Sequence, residues 1–463
     1  MDKSLYGQIH RTKNLYEAWI AVRRNARQSS RAETRQRVAE IDENPIQFIS
    51  RLQRQLREHR FIIEAQQGIV KRKSNGKSRG IVASPLENRV VQRAILNILQ
   101  SENIGVRASL GSIPEILECP TSVGGIPKRG VPYALSRIMP TIENGAKFYA
   151  RSDIKGFFDN VDRSRLFETL RSEISDTYFT EIIVEALKVE LSNEEEIREE
   201  LSLFPLGELG VAQGNSLSCL AANVALAAFD KAVNKGKIVT IRYIDDFVVL
   251  GPDQESTRCA LREGVEVLKS LGLTAYTPQE NPQKASEGKI ADGFTFIGCD
   301  IRSARVVPGK QTRRNLLADI DTTIKNARTT IAKMAVNKSL RRSQECYVQA
   351  LSKIDRQVRG WGDAYAFCTD RLIFSQVDDA IDQKLLFFRK WFAKKTVKVD
   401  ARLWRRAYGV ALLSDTKKVD IEEQLEEYHV AKNPRKSSQE GSQNLTNLSV
   451  SVTVSTKSST KIL

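Results

Sequence analysis

The sequence contains only three histidines and no closely paired cysteines. The histidines stand far from one another and from every cysteine (His10, His59 and His429). The six cysteines are also widely spaced, and none forms a CxxC pair (Cys119, Cys219, Cys259, Cys299, Cys346 and Cys368). Zinc sites, histidine-dependent nucleases and Ser-His-Asp hydrolases need such residues in close combination. The sequence therefore argues against all three classes.

Long apolar runs are missing as well. No stretch approaches the roughly 18 apolar residues that a membrane-spanning helix needs. The polar start MDKSLYGQIH does not resemble a secretory leader. Scattered cysteines in such a chain are typical of reduced core thiols. We therefore expect a cytoplasmic protein without a membrane partner.

Acidic residues are too few to balance the basic ones. Lys and Arg number 72 against 56 Asp and Glu, which gives a formal net charge of +16 and a pI near 9.5. The remaining composition, 41% hydrophobic and 28% charged, is that of an ordinary globular protein. Such an excess of positive charge indicates a polyanionic partner. A soluble protein that is merely basic is the alternative.

The first 300 residues fall into three stretches with different patterns. Residues 1–60 carry apolar side chains at three- and four-residue spacing, which predicts helices. Residues 61–147 mix short apolar runs with Gly and Pro, and residues 148–300 alternate strand, turn and helix signals. The acidic insert SNEEEIREELS, residues 192–202, is expected to be a solvated face.

The last third of the chain is helical by its periodicity and then becomes polar. Residues 301–428 form the helical stretch, and eleven Lys or Arg lie between Arg302 and Arg342, against two Asp. This one-sided charge favours a nucleic-acid track over an ordinary solvated helix face. Residues 429–463 are rich in Ser, Thr, Asn and Lys, which predicts a flexible tail.

Two adjacent carboxylates interrupt the apolar stretch IRYIDDFVVLG, residues 241–251. Strands are depleted in Asp, so the flanks are predicted to pair as a hairpin with Asp245 and Asp246 at its turn. A hairpin turn presents carboxylates at low desolvation cost. The alternative is an Asp that only bonds the local backbone.

A second segment, FYARSDIKGFFDNVDRSRLFETL, supplies another carboxylate. Its first residues predict a strand that ends near Asp153, where a neighbouring hairpin can bring Asp245 alongside. Asp162 is predicted to be the N-cap of the next helix, and Asp159 a turn residue. Two carboxylates at one place suit Mg²⁺, which keeps its other positions for water and phosphate.

A third segment, LGVAQGNSLSCLAANVALAAFDKAV, combines a turn at Gln213-Gly214 with a predicted long helix of small residues. Small side chains permit close approach of another backbone or of a flat base pair. Simple core packing is the alternative.

These three segments, in this order, resemble the catalytic motifs of reverse transcriptases, especially the bacterial group II intron-like lineage. The resemblance implies an α+β, right-hand polymerase fold. In that fold an N-terminal helical extension (1–60) precedes fingers (61–147), palm (148–300) and a helical thumb or maturase-like region (301–428). It also implies an RNA-directed DNA polymerase that uses two Mg²⁺ ions, with Mn²⁺ as a substitute.

The resemblance assigns roles to individual residues. The catalytic group would be Asp153, Asp245, Asp246 and Lys284, with Lys289 a rival as proton donor, and the metal site would be Asp153, Ile154, Asp245 and Asp246. The remaining implied sites are the dNTP site (Lys71, Arg79, Phe158, Gln213, Gly214) and the primer grip (Phe294, Phe296, Ile297, Gly298). Asn88 stands where the family usually has an Asp, which leaves that position without an assigned role.

The helical region resembles the thumb of group II intron proteins. The predicted nucleic-acid contacts there are basic (Arg313, Arg314, Lys325, Arg328, Arg359, Arg389 and Lys390). Three aromatic residues of this region are expected to pack between helices and not to stack on nucleic-acid bases (Trp361, Tyr365 and Trp391).

The partners implied are an RNA template, a DNA product and dNTPs, and a homo-oligomer is compatible with the sequence.

No His/Cys-rich endonuclease module follows the thumb, and the VTG and NAxxH signatures of retron enzymes are absent from the sequence. We therefore expect synthesis on a dedicated noncoding RNA in phage defence. The alternatives are a maturase or RNA-binding factor with a vestigial site, and an RNA-synthesising enzyme.

Overall fold

The computed structural model describes residues 4–72, 76, 78–336, 346–397, 400–410 and 412–415. Within them the chain forms two compact units. The first comprises the described residues of Met1–Asp319 and Gln357–Asp382, and the second the described residues of Ile320–Arg356 and Gln383–Leu463. The finger, palm and thumb boundaries stay predictions, and the predicted tail, residues 429–463, lies outside the described residues.

The described residues form nine strands, all in antiparallel sheets. A two-stranded sheet has the order β1-β2, a four-stranded sheet the order β4-β5-β3-β6, and a three-stranded sheet the order β7-β8-β9. The strands are β1 (Gln67–Arg72), β2 (Ser78–Ala83), β3 (Phe148–Asp153), β4 (Val239–Tyr243), β5 (Asp246–Gly251), β6 (Ser286–Lys289), β7 (Phe294–Phe296), β8 (Cys299–Arg302) and β9 (Arg305–Pro308).

Helices make up most of the remaining described structure, so the predicted α+β class is confirmed. Those before the four-stranded sheet are α1 (Leu5–Ile9), α2 (Thr12–Ala26), α3 (Ala32–Glu43), α4 (Pro45–Arg57), α5 (Leu86–Leu99), α6 (Ile104–Ala108), α7 (Ile113–Glu118) and α8 (Val131–Glu143). Within the sheet region lie α9 (Phe157–Asn160), α10 (Arg163–Glu173), α11 (Thr177–Leu187), α12 (Ser218–Ala225), α13 (Ala227–Ala232) and α14 (Gln254–Ser270). The last are α15 (Lys310–Val336), α16 (Tyr347–Ala364), α17 (Leu372–Thr396) and α18 (Ala401–Tyr408).

The four-stranded sheet is covered on both faces, which explains the unbroken apolar run in β5. Phe247 and Val249 face the core that includes Leu268 of α14, whereas Val248 and Leu250 face the core that includes Leu135 of α8. Alternate residues of a strand point to opposite faces. A strand buried on both faces therefore has no polar positions after Asp246, the residue at which β5 begins.

Local capping confirms one prediction, and two other predictions are wrong. Asp162 caps α10 by accepting a hydrogen bond from the Arg165 amide at 3.1 Å. The predicted long small-residue helix is two short helices, α12 and α13, separated at Leu226. Cys259 is exposed, not part of the core, although Cys299, Cys346 and Cys368 are buried as expected.

The acidic insert is more than the solvated face that its charge predicted. Its glutamates are exposed or partly exposed, but Ile197 and Leu201 pack on the small core around Phe204. Asn193 accepts a hydrogen bond from the Gly68 amide at 2.8 Å and donates one to the Gly68 carbonyl at 3.1 Å. The insert therefore braces the β1–β2 hairpin, a contact across 125 residues of sequence that local patterns do not reveal.

Among the described residues, no helix combines the length and hydropathy that crossing a bilayer requires.

Candidate active site

Three aspartates meet at one end of the four-stranded sheet. β3 pairs with β5 so that Asp153 lies directly opposite Asp246. Asp245 occupies the two-residue turn between β4 and β5, and its carbonyl accepts a hydrogen bond from the Ile154 amide at 2.9 Å. The hairpin predicted from IRYIDDFVVLG is confirmed, as is the strand ending at Asp153.

The turn that carries Asp245 has an unusual backbone. Ile244 has a φ of +62°, a conformation that costs a β-branched residue free energy and that persists only when its surroundings impose it. Gly124 lies against it so closely that a Cβ there would be 2.4 Å from the Ile244 nitrogen. The neighbouring Val123 amide donates to the Arg242 carbonyl at 2.8 Å. This segment thus holds the turn from one side.

A buried arginine holds the same turn from behind. Arg242 has a side chain that is 0% exposed, and its guanidinium donates to both carboxylate oxygens of Asp230, which is 6% exposed. It also donates to Asn223 at 3.1 Å, to Ser122 at 2.7 Å and to the Ile244 carbonyl at 3.0 Å. Every polar contact of this cation is inside the protein. The charged pair therefore connects α13 to the turn that carries Asp245.

Sequence reasoning missed this network. The signal available was an arginine inside an apolar strand, at a position where alternation predicts a core side chain. Its partner Asp230 lies twelve residues earlier on another element, so local spacing does not identify it.

Lys284 lies beside the carboxylates. Its ammonium donates to Asp153. Burial alone would lower the pKa of Lys284, but the hydrogen bond to Asp153 and the negative charges of Asp245 and Asp246 raise it. Lys284 is therefore a cation at this site. The rival Lys289 pairs with Phe148 at the opposite end of β3, about 17 Å from Asp153 at about 3.3 Å per residue.

The hairpin carboxylates carry poorly compensated charge. Burial, together with the charge of Asp153, raises the pKa of Asp245. Burial raises the pKa of Asp246 to about 7, against the opposing effect of the Arg151 cation. Arg151 is itself fixed by donating to the Thr295 carbonyl at 2.7 Å and to the Gln283 carbonyl, next to Lys284. The cations nearby therefore do not fully compensate the negative charge of the carboxylates at this end of the sheet.

This donor set fits a hard divalent cation. Carboxylate oxygens are the ligands that Mg²⁺ prefers, and a bound cation would offset the burial and the charge repulsion that raise the pKa values of Asp245 and Asp246. Among the described residues, no three His, Cys, Asp or Glu side chains form a ready-made cage. Mg²⁺ needs only one or two protein carboxylates with water and substrate phosphate. Ile154 has a buried, apolar side chain, so only its carbonyl oxygen is a candidate donor.

Two residues predicted to bind the triphosphate are direct neighbours. Lys71 and Arg79 face each other across the β1–β2 hairpin, and both side chains are exposed. The Gln213 carbonyl accepts a hydrogen bond from the Val82 amide of the same hairpin at 2.8 Å. Gly214 follows with a φ of +113°, and a Cβ there would be 2.3 Å from the Val82 carbonyl oxygen. Four of the five predicted dNTP residues thus belong to the hairpin or touch it.

The fifth, Phe158, lies five residues beyond Asp153. It is half-buried and makes an edge-on contact with the fully buried Phe157, with ring centroids 5.5 Å apart. Its neighbour Phe157 is a core residue, as expected. The role of Phe158 as a sugar gate stays a prediction.

The predicted primer-grip residues form the β7–β8 hairpin. Phe294 and Phe296 are buried, and Phe294 stacks on Tyr149 with centroids 4.5 Å apart. Ile297 and Gly298 form the two-residue turn, both with positive φ. The phenylalanines therefore support the hairpin from inside, and of the four predicted residues only Ile297 and Gly298 remain available for contact with a primer.

The predicted thumb contacts all lie on long helices. They are Arg313, Arg314, Lys325 and Arg328 on α15, Arg359 on α16, and Arg389 and Lys390 on α17. All of these side chains are exposed except that of Arg313, which is half-buried. The Nε of Arg313 has no hydrogen-bond partner among the described residues. Trp361 packs on Tyr365 and Phe374, in line with the expectation of helix packing. Trp391 stacks on Phe388 and lies under the guanidinium of Arg328.

A carboxylate-bearing hairpin beside a strand that ends in Asp, within an α+β framework, defines a nucleotidyltransferase of the palm type. The family model described as reverse transcriptase (RNA-dependent DNA polymerase) matches residues 70–301, half of the chain. The chain therefore belongs to the reverse transcriptase family, and its predicted right-hand polymerase fold is confirmed.

Curated relatives place the chain beside bacterial proteins. Protein YkfC of Escherichia coli (strain K12) is 24% identical over 263 residues, which are 49% of this chain and 64% of YkfC. The group II intron-encoded protein LtrA of Lactococcus lactis subsp. cremoris is 28% identical over 164 residues, 35% of this chain and 24% of LtrA. The chain thus spans less than two thirds of either relative. The predicted kinship with group II intron-like reverse transcriptases is confirmed, and the defence role stays a prediction.

Solved structures resemble parts of the chain. Apo telomerase from Candida tropicalis, truncated from its C-terminal domain, has a TM-score of 0.36 at 14% identity over 53% of this chain and 55% of the telomerase chain. A partial Cas6-RT-Cas1–Cas2 complex has a TM-score of 0.32 at 22% identity over 58% of this chain and 43% of its own.

Proposed function

We propose that the protein is an RNA-directed DNA polymerase that extends a primer with dNTPs on an RNA template. The observation that carries this proposal is the meeting of Asp153, Asp245 and Asp246 at one sheet end inside the segment that the family model matches. The basic balance of the chain suits a nucleic-acid substrate.

The carboxylates supply the metal site of this proposal. Asp153 and Asp245 would hold two Mg²⁺ ions, which Mn²⁺ can replace, with Asp246 and the Ile154 carbonyl beside them. When bound, such ions activate the attacking hydroxyl and stabilise the leaving oxygen of an in-line phosphoryl transfer. The buried Arg242 keeps the Asp245 turn in place through the Ile244 carbonyl.

Lys284 is the proton donor in this proposal. Its raised pKa keeps the ammonium protonated at neutral pH, and it lies at the carboxylates where the pyrophosphate leaves. A proton delivered to the leaving group offsets the charge that develops there. The position of Lys289 at the far end of β3 favours Lys284.

Lys71 and Arg79 bind the incoming triphosphate in this proposal, because two opposed cations match its charge. Phe158 discriminates against ribose, which makes dNTPs the substrates. Phe158→Val is then expected to gain rNTP incorporation relative to dNTP incorporation.

A primer-extension assay tests the proposed activity. The full chain, an RNA template with an annealed DNA primer, Mg²⁺ and dNTPs should give template-complementary DNA. Asp245→Asn should abolish synthesis and retain RNA binding, whereas the exposed Asp292→Asn removes the same charge and should leave synthesis unchanged. Wild-type synthesis by Asp245→Asn, or a wild-type enzyme that uses only rNTPs, would contradict the proposal.

We further propose that the template in the cell is a dedicated noncoding RNA and that the DNA made from it serves phage defence. The complete carboxylate set and the two hairpin cations support a working polymerase over a vestigial one. The similarity to LtrA supports the rival, an intron maturase. Sequencing the nucleic acid that co-purifies with the protein separates them, because defence requires complementary DNA of one RNA and a maturase requires intron RNA alone.

A further inference from the structure

Arg151 lies in the strand that ends at Asp153, two residues before that carboxylate. Alternate residues of a strand point to the same face, so the side chains of Tyr149, Arg151 and Asp153 share one face of β3. Tyr149 is buried and stacks on Phe294 of the β7–β8 hairpin. An arginine thus stands between a core contact and a catalytic carboxylate, and the proposed reaction assigns it no role.

The guanidinium of Arg151 binds three parts of the chain. Its Nε donates to the Ser286 hydroxyl of β6 at 3.1 Å, its Nη1 to the Thr295 carbonyl of β7 at 2.7 Å, and its Nη2 to the Gln283 carbonyl. Each of its three nitrogens therefore serves a different segment. A planar guanidinium presents its N–H groups in fixed directions, so it sets the relative positions of the acceptors that it binds.

These contacts connect two separate sheets. β6 is an edge strand of the four-stranded sheet and β7 is an edge strand of the three-stranded sheet, so each has one side without a strand partner. In the described part of the chain, no strand pairing joins these two sheets. The contacts of Arg151, together with the stack of Tyr149 on Phe294, therefore link the sheet that carries the aspartates to the hairpin predicted to support the primer end.

The same guanidinium holds the loop that carries Lys284. The start of this loop is fixed on β3, where the Tyr276 amide donates to the Asp153 carbonyl at 3.0 Å. Its end is fixed by Arg151, because the acceptor residue Gln283 directly precedes Lys284. One strand thus anchors both ends of a short loop, which limits the movement of the Lys284 backbone relative to Asp153.

We propose that Arg151 is a positioning residue that sets the β7–β8 hairpin and Lys284 at a fixed distance from the Asp153 carboxylate. One side chain then aligns the primer end and the proton donor with the metal site. This inference rests on the proposed function, because the alignment has a consequence only if the site extends a primer. A misplacement of about 1 Å between reacting groups can cost about a hundredfold in rate.

Removal of the three hydrogen bonds tests the inference. Arg151→Gln is expected to lower the kcat of primer extension by about 10- to 100-fold. The KM for dNTP should stay unchanged, because the proposed triphosphate cations lie on the β1–β2 hairpin. Arg258→Gln is the matched control, since it removes an equal charge and a contact with Glu287 of the same strand β6. This control should keep the wild-type kcat.

Arg151→Lys separates position from charge. Burial raises the pKa of Asp246 and the Arg151 cation opposes that rise, so an effect of charge alone is the alternative role. A single ammonium keeps the charge but cannot donate to three acceptors that lie in different directions. The kcat of Arg151→Lys is therefore expected to be closer to that of Arg151→Gln than to that of the wild type. Full recovery of kcat by lysine would overturn the positioning role.

Amide hydrogen exchange tests the positions without turnover. In Arg151→Gln, exchange should become faster in the loop of residues 277–285 and in β7, and should stay unchanged in the β1–β2 hairpin. A general loss of stability would instead speed exchange throughout the fold. Faster exchange everywhere, or in neither of the two segments, would contradict the inference.

A double variant tests the connection to Lys284. In the Lys284→Ala background, Arg151→Gln should reduce kcat by a smaller factor than in the wild type, because one of the two positioned groups is already missing. An equal factor in both backgrounds would show that Arg151 does not act through Lys284.

The outcomes distinguish this inference from the proposed function. If the wild type synthesises no DNA on a primed RNA template, the proposed function fails and the inference falls with it. If the wild type extends the primer and Arg151→Gln has the same kcat, the inference fails alone. A raised KM for dNTP with unchanged kcat would assign Arg151 to triphosphate binding and would likewise overturn the inference.

Discussion

Two hairpins carry the charged residues that the proposed reaction uses, and they are held in opposite ways. The catalytic hairpin, β4–β5, lies in a four-stranded sheet with a core on each face and a fully buried arginine behind its turn. The finger hairpin, β1–β2, is a sheet of only two strands whose cations, Lys71 and Arg79, are exposed. A two-stranded hairpin is marginal alone, and this one depends on the acidic insert at Gly68.

The difference shows what each hairpin gains from its surroundings. Burial removes hydration from the carboxylates of Asp245 and Asp246 and raises the pKa of each. The finger cations keep their hydration, so their positions depend on a few bracing contacts. We therefore expect substitutions near the catalytic hairpin to change stability and turnover, and substitutions in the finger hairpin to change substrate affinity.

The largest effect is expected from breaking the buried ion pair. Asp230→Ala leaves Arg242 buried without its partner and should lower the free energy of unfolding by about 3–5 kcal/mol, measured by chemical denaturation. Glu287→Ala, which breaks the exposed pair with Arg258, should cost less than about 1 kcal/mol.

The double variant Asp230→Leu/Arg242→Met distinguishes stability from positioning. Removing both charges should restore most of the stability, because no unpaired ion remains. The kcat should stay low, since the hydrogen bond to the Ile244 carbonyl is still missing. Wild-type kcat in the double variant would show that the network is only structural.

A pH-dependent effect of about 2–3 kcal/mol is expected at Asp246. Its folded pKa of about 7 lies above the ordinary value of 3.8, so the folded state holds this proton more tightly than the unfolded state. The charge therefore costs no stability below about pH 4, a growing amount between pH 4 and 7, and its full amount above pH 7. Asp246→Asn should raise the melting temperature of metal-free protein at pH 8, with the gain disappearing near pH 4.

Added Mg²⁺ provides the control for that measurement. The cation should stabilise the wild type more than Asp246→Asn and reduce the difference between them. A gain from Asp246→Asn that is equal at pH 4 and pH 8 would contradict the role of the buried charge.

A smaller effect, on substrate affinity alone, is expected from the finger cations. Lys71→Ala and Arg79→Ala should each raise the KM for dNTP about tenfold in steady-state primer extension. Both side chains are exposed, so the melting temperature should not change. Arg72→Ala is the matched control, because alternation places Arg72 on the other face of the hairpin. An equal rise in KM for Arg72→Ala would show that the effect comes from the overall positive charge of the hairpin and not from specific contacts of Lys71 and Arg79.

The smallest effect is expected from the brace of the finger hairpin. Asn193→Ala removes two hydrogen bonds to Gly68 and should destabilise the protein by about 1 kcal/mol. The KM for dNTP should rise a few-fold, since the cations lose their fixed position. Glu195→Ala in the same insert is exposed and should change neither quantity. A change in kcat with Asn193→Ala and no change in KM would contradict the expectation that the β1–β2 hairpin affects substrate affinity and not turnover.

Local chemistry made part of the site predictable. The strand that ends at Asp153, the hairpin turn at Asp245 and the cap at Asp162 each follow from residues within a few positions of one another, where propensity and turn geometry act. Residue patterns predicted that a hairpin could bring Asp245 alongside Asp153, and the family resemblance placed all three aspartates in one metal site. The direct pairing of Asp153 with Asp246 was not predicted, because spacing alone sets neither strand order nor register.

The features that sequence reasoning missed are long-range. The partner of Arg242 lies on α13, and the contact of Asn193 with Gly68 spans 125 residues. The backbone of Ile244 contradicts its own preference, since β-branched residues avoid positive φ. Only the tertiary structure imposes these contacts and this backbone conformation, and local sequence patterns do not identify the partners.

The ion pair between Lys284 and Asp153 has a consequence for how the protein responds to magnesium. The ammonium is attached to the chain and so competes with dissolved cations for Asp153. Mg²⁺ can bind this carboxylate only by displacing the ammonium, which raises the free Mg²⁺ concentration that the site needs. We therefore expect polymerisation to begin over a threshold of magnesium that the protein itself sets, and Lys284→Ala to lower that threshold even as it slows turnover. In these terms Lys284 is an internal competitor that couples the enzyme to the free magnesium of its surroundings.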